Sequence, residues 1–597
     1  MLCSTRTVIR AAPLARKRLS GSQHFLSSAA AGRTQSHPRT RPALVTLSGA
    51  AAAAALWYVT RETIQNDAPD ASEGAMKATS VSGVSPLDGS LATLVWGSNR
   101  NHTLSTDEQT PESVRTPAVA EWLKDVALRD LSLHERHVAC IDARGDVYQW
   151  GDGFFGSSAS ASSGKPVLTL RNKNIVRLQT TPDRVFALSA SGHIYVLSSS
   201  QPRQELTPGS PTPASTPWWG TGWMWGEEEI VDFAQITPSA KFKWGERFVS
   251  ISAGSDHLLA LTNTGRTFVH PVNLKANAYG QLGLRKVDIP DHSQPHLPPA
   301  RTQLELTPKS VKDPYAKATP AIRKTSQPEN LEPVTDDASI HFSDRLFEIP
   351  ALQGLKVDQI AAGSRTSFVR TFNGRVLGWG ANEFGQIGLG GNITLEAITV
   401  PTEVVLWRST PQTMRTTCLD VYAGGDLTFF KVERTDGSAM PYIDVLACGN
   451  GQYGGLGNAQ YSNAQGAPVR AKNVSGLLEY SEKANALQPI YPHHISVSPT
   501  GHVLLTLDTV AREGPGGKGR DLLVWGANQE YQLGNGKRGS LASPTTLHAA
   551  DGARLLLAQR KADVRDLGGK MWKKGVAVEQ CAVAGWGNSV VYWRIST

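Results

Sequence analysis

Cysteine is scarce in this chain, and what there is stands badly spaced for chemistry. The five cysteines, Cys3, Cys140, Cys418, Cys448 and Cys581, form no CxxC pair, and their count is odd. That leaves no zinc ribbon and no dithiol redox motif, and free, buried thiols are the expectation. Acid is missing from the first 61 residues, since Glu62 is the first carboxylate. The formal charge of +8 therefore has a local origin: residues 1–42 hold eight Lys/Arg, and the other 52 balance 52 Asp/Glu. A neutral remainder lacks the electrostatic footprint of a nucleic-acid binder, so no nucleic-acid partner is expected.

Catalytic signatures are also wanting. There is no G-x-S-x-G elbow and no carboxylate pair that stands out. GNGQYG (449–454) fits G-x-G-x-x-G, but no helix pattern follows it and no suitable acid lies about twenty residues on. In GPGGKGR (514–520), Gly519 stands where a phosphate loop needs Ser or Thr. His493-His494 is the only adjacent histidine pair, and no further ligand lies at a metal-site spacing. No catalytic, cofactor-binding or metal-ligating residue is assigned, no cofactor is expected, and the protein is read as no enzyme.

The N-terminus reads as an address. Residues 1–42 are rich in Arg and Ser and free of acid, the composition of a mitochondrial transit peptide. Residues 43–60, ALVTLSGAAAAAALWYVT, carry no charge and are just long enough for a transmembrane helix. Arg39 and Arg41 flank one end, and Trp57 and Tyr58 sit near the other as interfacial aromatics do. The expectation is a single-pass inner-membrane protein with its bulk in the intermembrane space. Residues 61–88 read as a polar linker.

The remainder, 89–597, is organised by a degenerate repeat. GRVLGWGANEFGQIGLG (374–390) matches LLVWGANQEYQLGNG (522–536), VLACGNGQYGGLGN (445–458) and, in part, GDVYQWGDGFFG (145–156). NAYGQLG (277–283) repeats its second half. A strand–turn–strand element precedes each copy, as in AGSDHLLALTNTGRTFV (253–269) and AAGSRTSFVRTFNGRVLGW (361–379). Glycines supply the positive φ that such turns need. Trp96, Trp150, Trp379 and Trp525, with Gly254, Gly363, Gly380 and Gly526, are the structural residues of the repeat. Leu197, His270 and Cys448 stand where three further tryptophans should be.

These motifs resemble the regulator-of-chromosome-condensation repeat family, over roughly residues 90–597. The resemblance implies an all-β, seven-bladed β-propeller. His137 and His257 coincide with a position where the family often has His, and there they are expected to fix a turn. LATLVWGSNRN has no partner strand before it, and AGWGNSVVYWRI (584–595) has no Trp-Gly strand after it. Pairing the two ends in one blade closes the ring and removes its open edges. Two insertions interrupt the spacing. Residues 285–350, rich in Pro, Lys, Asp and Thr, read as a disordered loop. Residues 199–245 contain WWGTGWMWG, whose Trp218, Trp219, Trp223 and Trp225 are expected to contact a partner or membrane, or to cap their own blade.

With a presequence and a membrane helix, the chain looks like the fungal mitochondrial propeller proteins of this family. That likeness implies a protein-binding and assembly role in biogenesis of respiratory complex III, with its subunits or assembly intermediates as partners. The alternative is a guanine-nucleotide exchange factor for a small GTPase, as the family's founder is.

Overall fold

A computed structural model describes residues 90–596, apart from 106–109, 157–164, 207–230, 291–300, 313–336, 392–394, 409, 412, 438–439, 482–484, 510–518 and 550–551. The described residues belong to one compact unit. About half of them fall in short, mostly antiparallel strands, and the rest form the turns and loops between them.

Six sheets of four or more strands succeed one another along the chain. Sheet I holds both ends of the described chain: Leu94–Ser98 lies between Ser113–Val119 and Asn588–Ile595, and Met571–Ala584 and Gln559–Arg565 follow on the far side of Asn588–Ile595. Leu94–Ser98 pairs antiparallel with Asn588–Ile595, with Leu94 opposite Val591 and Trp96 opposite Ser589. The first and last strands thus close the fold, as the two unpaired sequence ends require. Sheet II is the meander Asp130–Leu133, Val138–Ile141, Val147–Trp150 and Val167–Leu170.

Sheet III has eight strands and is two meanders fused. Ile175–Thr180, Arg184–Ser189, Ile194–Ser198 and Ala234–Pro238 make the first half; Phe248–Ala253, His257–Thr262, Thr267–Pro271 and Arg345–Glu348 make the second. A short parallel pairing, Thr237 with Arg345 and Pro238 with Leu346, joins them. Sheet IV contains Val357–Ala362, Thr366–Thr371, Val376–Ala381 and Ala397–Glu403. Sheet V contains Met414–Gly424, Leu427–Asp436, Tyr442–Gly451 and Ser462–Arg470. Sheet VI contains Tyr491–Val497, His502–Asp508, Arg520–Gly526 and Leu541–Thr546, with Leu556–Leu557 on its edge. Two-stranded hairpins stand apart at Lys286–Pro290 with Arg301–Glu305, and at Leu478–Ser481 with Ala486–Pro489. The apolar core lies between successive sheets, as when Trp379 and Ile387 of sheet IV pack with Phe430 and Leu446 of sheet V.

This is an all-β propeller, and it corrects several expectations. Seven separate sheets are not seen, because the parallel seam merges two meanders. The segment 285–350 is not wholly a disordered loop. It supplies a hairpin and the outer strand Arg345–Glu348, and its return is pinned by buried charge. Arg266 forks onto Glu348 with nitrogen–oxygen distances of 2.9 and 2.6 Å. Arg184, fully buried, donates to the carbonyls of Val272, Asp337 and Ser339. His270 Nδ1 donates to the Arg345 carbonyl at 2.8 Å. The residue that replaced a repeat tryptophan thus holds an inserted strand. Insertion 199–245 likewise supplies Ala234–Pro238.

The single-pass inner-membrane placement is also overturned. Among the described residues no helix is long and apolar enough to cross a membrane, and the two α-helices have four residues each. The presequence 1–42, the span at 43–60, the linker 61–88 and Trp218, Trp219, Trp223 and Trp225 lie outside the described residues.

Candidate functional site

The repeat tryptophans are joints between sheets. Trp96, Trp150, Trp379 and Trp525 are all buried. Each indole Nε1 donates to a carbonyl in the loop of the preceding sheet: Trp96 to Gln532 at 2.8 Å, Trp150 to Thr103 at 3.1 Å, Trp379 to Gln281 at 2.9 Å and Trp525 to Gly455 at 2.8 Å. Three of these acceptors belong to Gly-Gln-Leu-Gly turns or their variants. The two halves of the repeat, Trp-Gly and Gly-Gln-Leu-Gly, are therefore donor and acceptor across one seam. Cys448 keeps the relation in reduced form, with Sγ 3.3 Å from the Gln386 carbonyl and the Thr428 hydroxyl supplying a second donor at 2.7 Å.

The repeat glycines serve close approach. Gly380 and Gly526 have φ of +108° and +97°, and a Cβ on either would collide with the carbonyl of Arg365 or Gly501. A Cβ on Gly254 would strike the His257 ring, and one on Gly363 would meet the Thr366 hydroxyl.

The histidines are structural. His257 Nε2 donates to Ser367 Oγ at 2.8 Å, and Ser367 donates to the Gln281 carbonyl at 2.8 Å. His502 Nε2 lies 3.1 Å from the Asn588 carbonyl. Burial holds His257 down at about 4 and His502 at about 3, so both are neutral at physiological pH. His137 is buried and stacked on His134 at 4.7 Å, and desolvation pushes it well below the usual imidazole value. His494 is held near 4 by burial, while His493 faces Asp508 across 3.4 Å. Neutral rings without a reacting partner suit hydrogen-bonded packing better than proton transfer.

Inner strands from all parts of the ring meet at a central channel of about 260 Å³. Neighbouring inner strands share no backbone ladder there, so their N–H groups need other acceptors. Side chains provide them: Asp130 accepts from Leu178 N, Gln179 from Ala253 N, Ser252 from Ala362 N, Gln359 from Val421 N and Ser496 from Ala584 N. The channel mouth carries His134 against Trp586, ring centroids 5.2 Å apart. Among the described residues no group of three or more His, Cys, Asp or Glu is placed to hold a metal ion. Cys140, Cys418, Cys448 and Cys581 are buried free thiols, and burial raises each thiol above its usual value.

The surface offers something else. The hairpin Leu478–Ser481/Ala486–Pro489 pairs Leu478 with Pro489 and Tyr480 with Leu487. Alternation puts these four on one face. Leu478, Tyr480 and Leu487 are 46%, 53% and 48% exposed. A two-stranded ribbon that shows its apolar face to solvent is marginal alone and fits a contact surface. Sequence inspection passed over it, although L-x-Y followed by L-x-P is the period-2 signal of such a ribbon.

Closed by its own ends and jointed by tryptophans, this is a β-propeller of repeat origin. Models of the regulator of chromosome condensation (RCC1) repeat match residues 357–386 and 373–430, so the chain carries repeats of this type. It is 22% identical over 471 residues to protein FMP25, mitochondrial, of Saccharomyces cerevisiae, a match covering 76% of this chain and 65% of that protein. It is 24% identical over 288 residues to the secretion-regulating guanine nucleotide exchange factor of Mus musculus, covering 46% of each. The chain thus spans less than two-thirds of the length of either relative. The structure of Prp20p from Saccharomyces cerevisiae, described with its binding to Gsp1p and histones, superposes with a TM-score of 0.51 at 16% identity. That match covers 85% of this chain and 92% of the other, and it shows the fold alone.

Proposed function

We propose that the protein is a non-enzymatic mitochondrial binding protein that supports biogenesis of respiratory complex III through protein contacts made by its propeller. The observation that carries the binding reading is the inserted hairpin with its exposed Leu478, Tyr480 and Leu487 on a rigid closed ring. Sheet III counts in this reading as two blades, which makes seven. Trp218, Trp219, Trp223 and Trp225 are a second proposed contact. The acid-free residues 1–42 and the similarity to a yeast protein named as mitochondrial support the compartment. The complex III assignment rests on the likeness to fungal mitochondrial propeller proteins. A deletion strain should lose assembled complex III on native gels and regain it with the wild-type chain. Normal complex III in the deletion would refute the assignment.

A second reading, guanine-nucleotide exchange on a small GTPase, is favoured by the similarity to the mouse exchange factor. Accelerated nucleotide release from a mitochondrial GTPase by the purified protein would select it.

A further inference from the structure

Between sheets IV and V lies a cavity of about 520 Å³, away from the hairpin and the central channel. Its walls are apolar: Leu389 and Leu406 from one side, Met414, Leu446 and Pro468 from the other. Three arginines break this pattern. Arg434, Tyr442, Asp444 and Leu446 share one sheet face, since Arg434 pairs with Tyr442 and the rest follow at alternate positions; Arg470 stands opposite Leu446. Here the Asp444 side chain is fully buried, with Arg434 Nη1 at 3.2 Å and Arg470 Nη2 at 2.7 Å.

Two guanidiniums face this one carboxylate, so the cluster keeps a positive charge. Neither is aligned to hydrogen bond Asp444 despite the short separations, and both Asp444 oxygens and Arg434 Nε are buried without a hydrogen-bond partner. A buried donor left so costs about 1–3 kcal/mol, which argues for a ligand that the protein alone does not supply. Arg408 adds a third positive charge at the cavity. Its guanidinium rests against Gly390, at φ +114°, where a Cβ would clash with it. Glycine at that position gives Arg408 room to reach in. The cavity is therefore apolar on its walls and carries a net charge of +2 from three arginines and Asp444.

We propose that this cavity binds a small organic carboxylate with an apolar body, its head taken by Arg408 and Arg434 and its tail by Leu389, Leu406 and Met414. Arginine forks match carboxylate geometry, and apolar walls with a few convergent polar groups are the usual make-up of a ligand pocket. This site goes beyond the protein-contact role and does not depend on it.

The test is calorimetric titration of the full chain with decanoate, decanol and inorganic phosphate. Decanoate should bind at least tenfold more tightly than either control. Arg408→Glu, at an exposed position, should weaken decanoate at least tenfold, or about 1.4 kcal/mol, without changing the melting temperature. Met414→Trp, which fills the cavity, should abolish binding with no change of charge. No binding of decanoate, equal binding of decanol or phosphate, or undiminished affinity in either variant would each overturn the proposal.

Discussion

Replacing Trp525 by Phe tests the seam between sheets V and VI. The substitution keeps an aromatic ring but removes the donor to the Gly455 carbonyl, which is buried. An orphaned buried acceptor costs about 1–3 kcal/mol, and the smaller ring adds about 1–2 kcal/mol of lost packing. Trp379→Phe is the internal control. Its acceptor, the Gln281 carbonyl, keeps a second donor in the Ser367 hydroxyl at 2.8 Å. Only the packing loss and a net hydrogen bond of about 1 kcal/mol remain there. Trp525→Phe should therefore cost about 1 kcal/mol more than Trp379→Phe. Ser367→Ala on top of Trp379→Phe should remove the difference by more than the sum of the single effects, because the two donors share one acceptor. Urea midpoints give the totals, and amide exchange at residues 453–457 against 279–283 locates the loosening. Equal costs for the two Phe variants, with Ser367→Ala strictly additive, would refute the view that the repeat tryptophans act through their carbonyl acceptors.

Acid should destabilise the protein well above the carboxylate range. His134, His257, His270 and His494 are each held near 4 by burial against an ordinary 6.5, and His502 near 3. The unfolded chain binds these protons first, so stability is full above about pH 6.5 and falls as pH drops toward 4, by about 1.4 kcal/mol per pH unit for each ring. His257→Gln should flatten the slope by one proton, and an unchanged slope would place that ring in water. Gly526→Ala should cost at least about 2 kcal/mol, read from the urea midpoint, because φ is +97° and the Gly501 carbonyl occupies the Cβ position. A midpoint like wild type would remove that constraint. Arg266→Met breaks the forks to Glu348 and to Glu246, whose side chain is fully buried, and should cost about 3 kcal/mol. Exchange should rise first at residues 345–348, and protection there like wild type would contradict the anchoring role.

The legible part of this fold is the part that repeats. Trp-Gly and Gly-Gln-Leu-Gly recur because each blade needs the same donor and the same turn, and the erosions at Leu197, His270 and Cys448 could be placed by alignment alone. The ring closure was legible from two strands that each lacked a neighbour. Ala234–Pro238 and Arg345–Glu348 were not, because each sits inside an insertion and pairs with strands far away in sequence, as Phe268 does with Glu348. Their stabilising groups, Arg184, Arg266 and His270, are single residues without a motif. The channel ring was hidden for a related reason. Asp130, Gln179, Ser252, Gln359 and Ser496 do one job with three residue types, so no pattern of letters betrays it. Arg434, Asp444 and Arg470 converge only once three strands of sheet V are paired. The membrane expectation rested on apolar length in residues 43–60, and among the described residues no helix is long and apolar enough to cross a membrane.

The most direct test of partner binding through the inserted hairpin is quantitative affinity purification from solubilised mitochondria. The wild-type full chain is compared with Leu478→Ser/Tyr480→Ser/Leu487→Ser. These side chains are half exposed, so the variant should melt like wild type. Mass spectrometry should show complex III subunits or assembly intermediates with the wild type, and at least a tenfold loss with the variant. Undiminished recovery of those partners by a folded variant would contradict the hairpin's role, and their absence from the wild-type sample would contradict the proposed function itself.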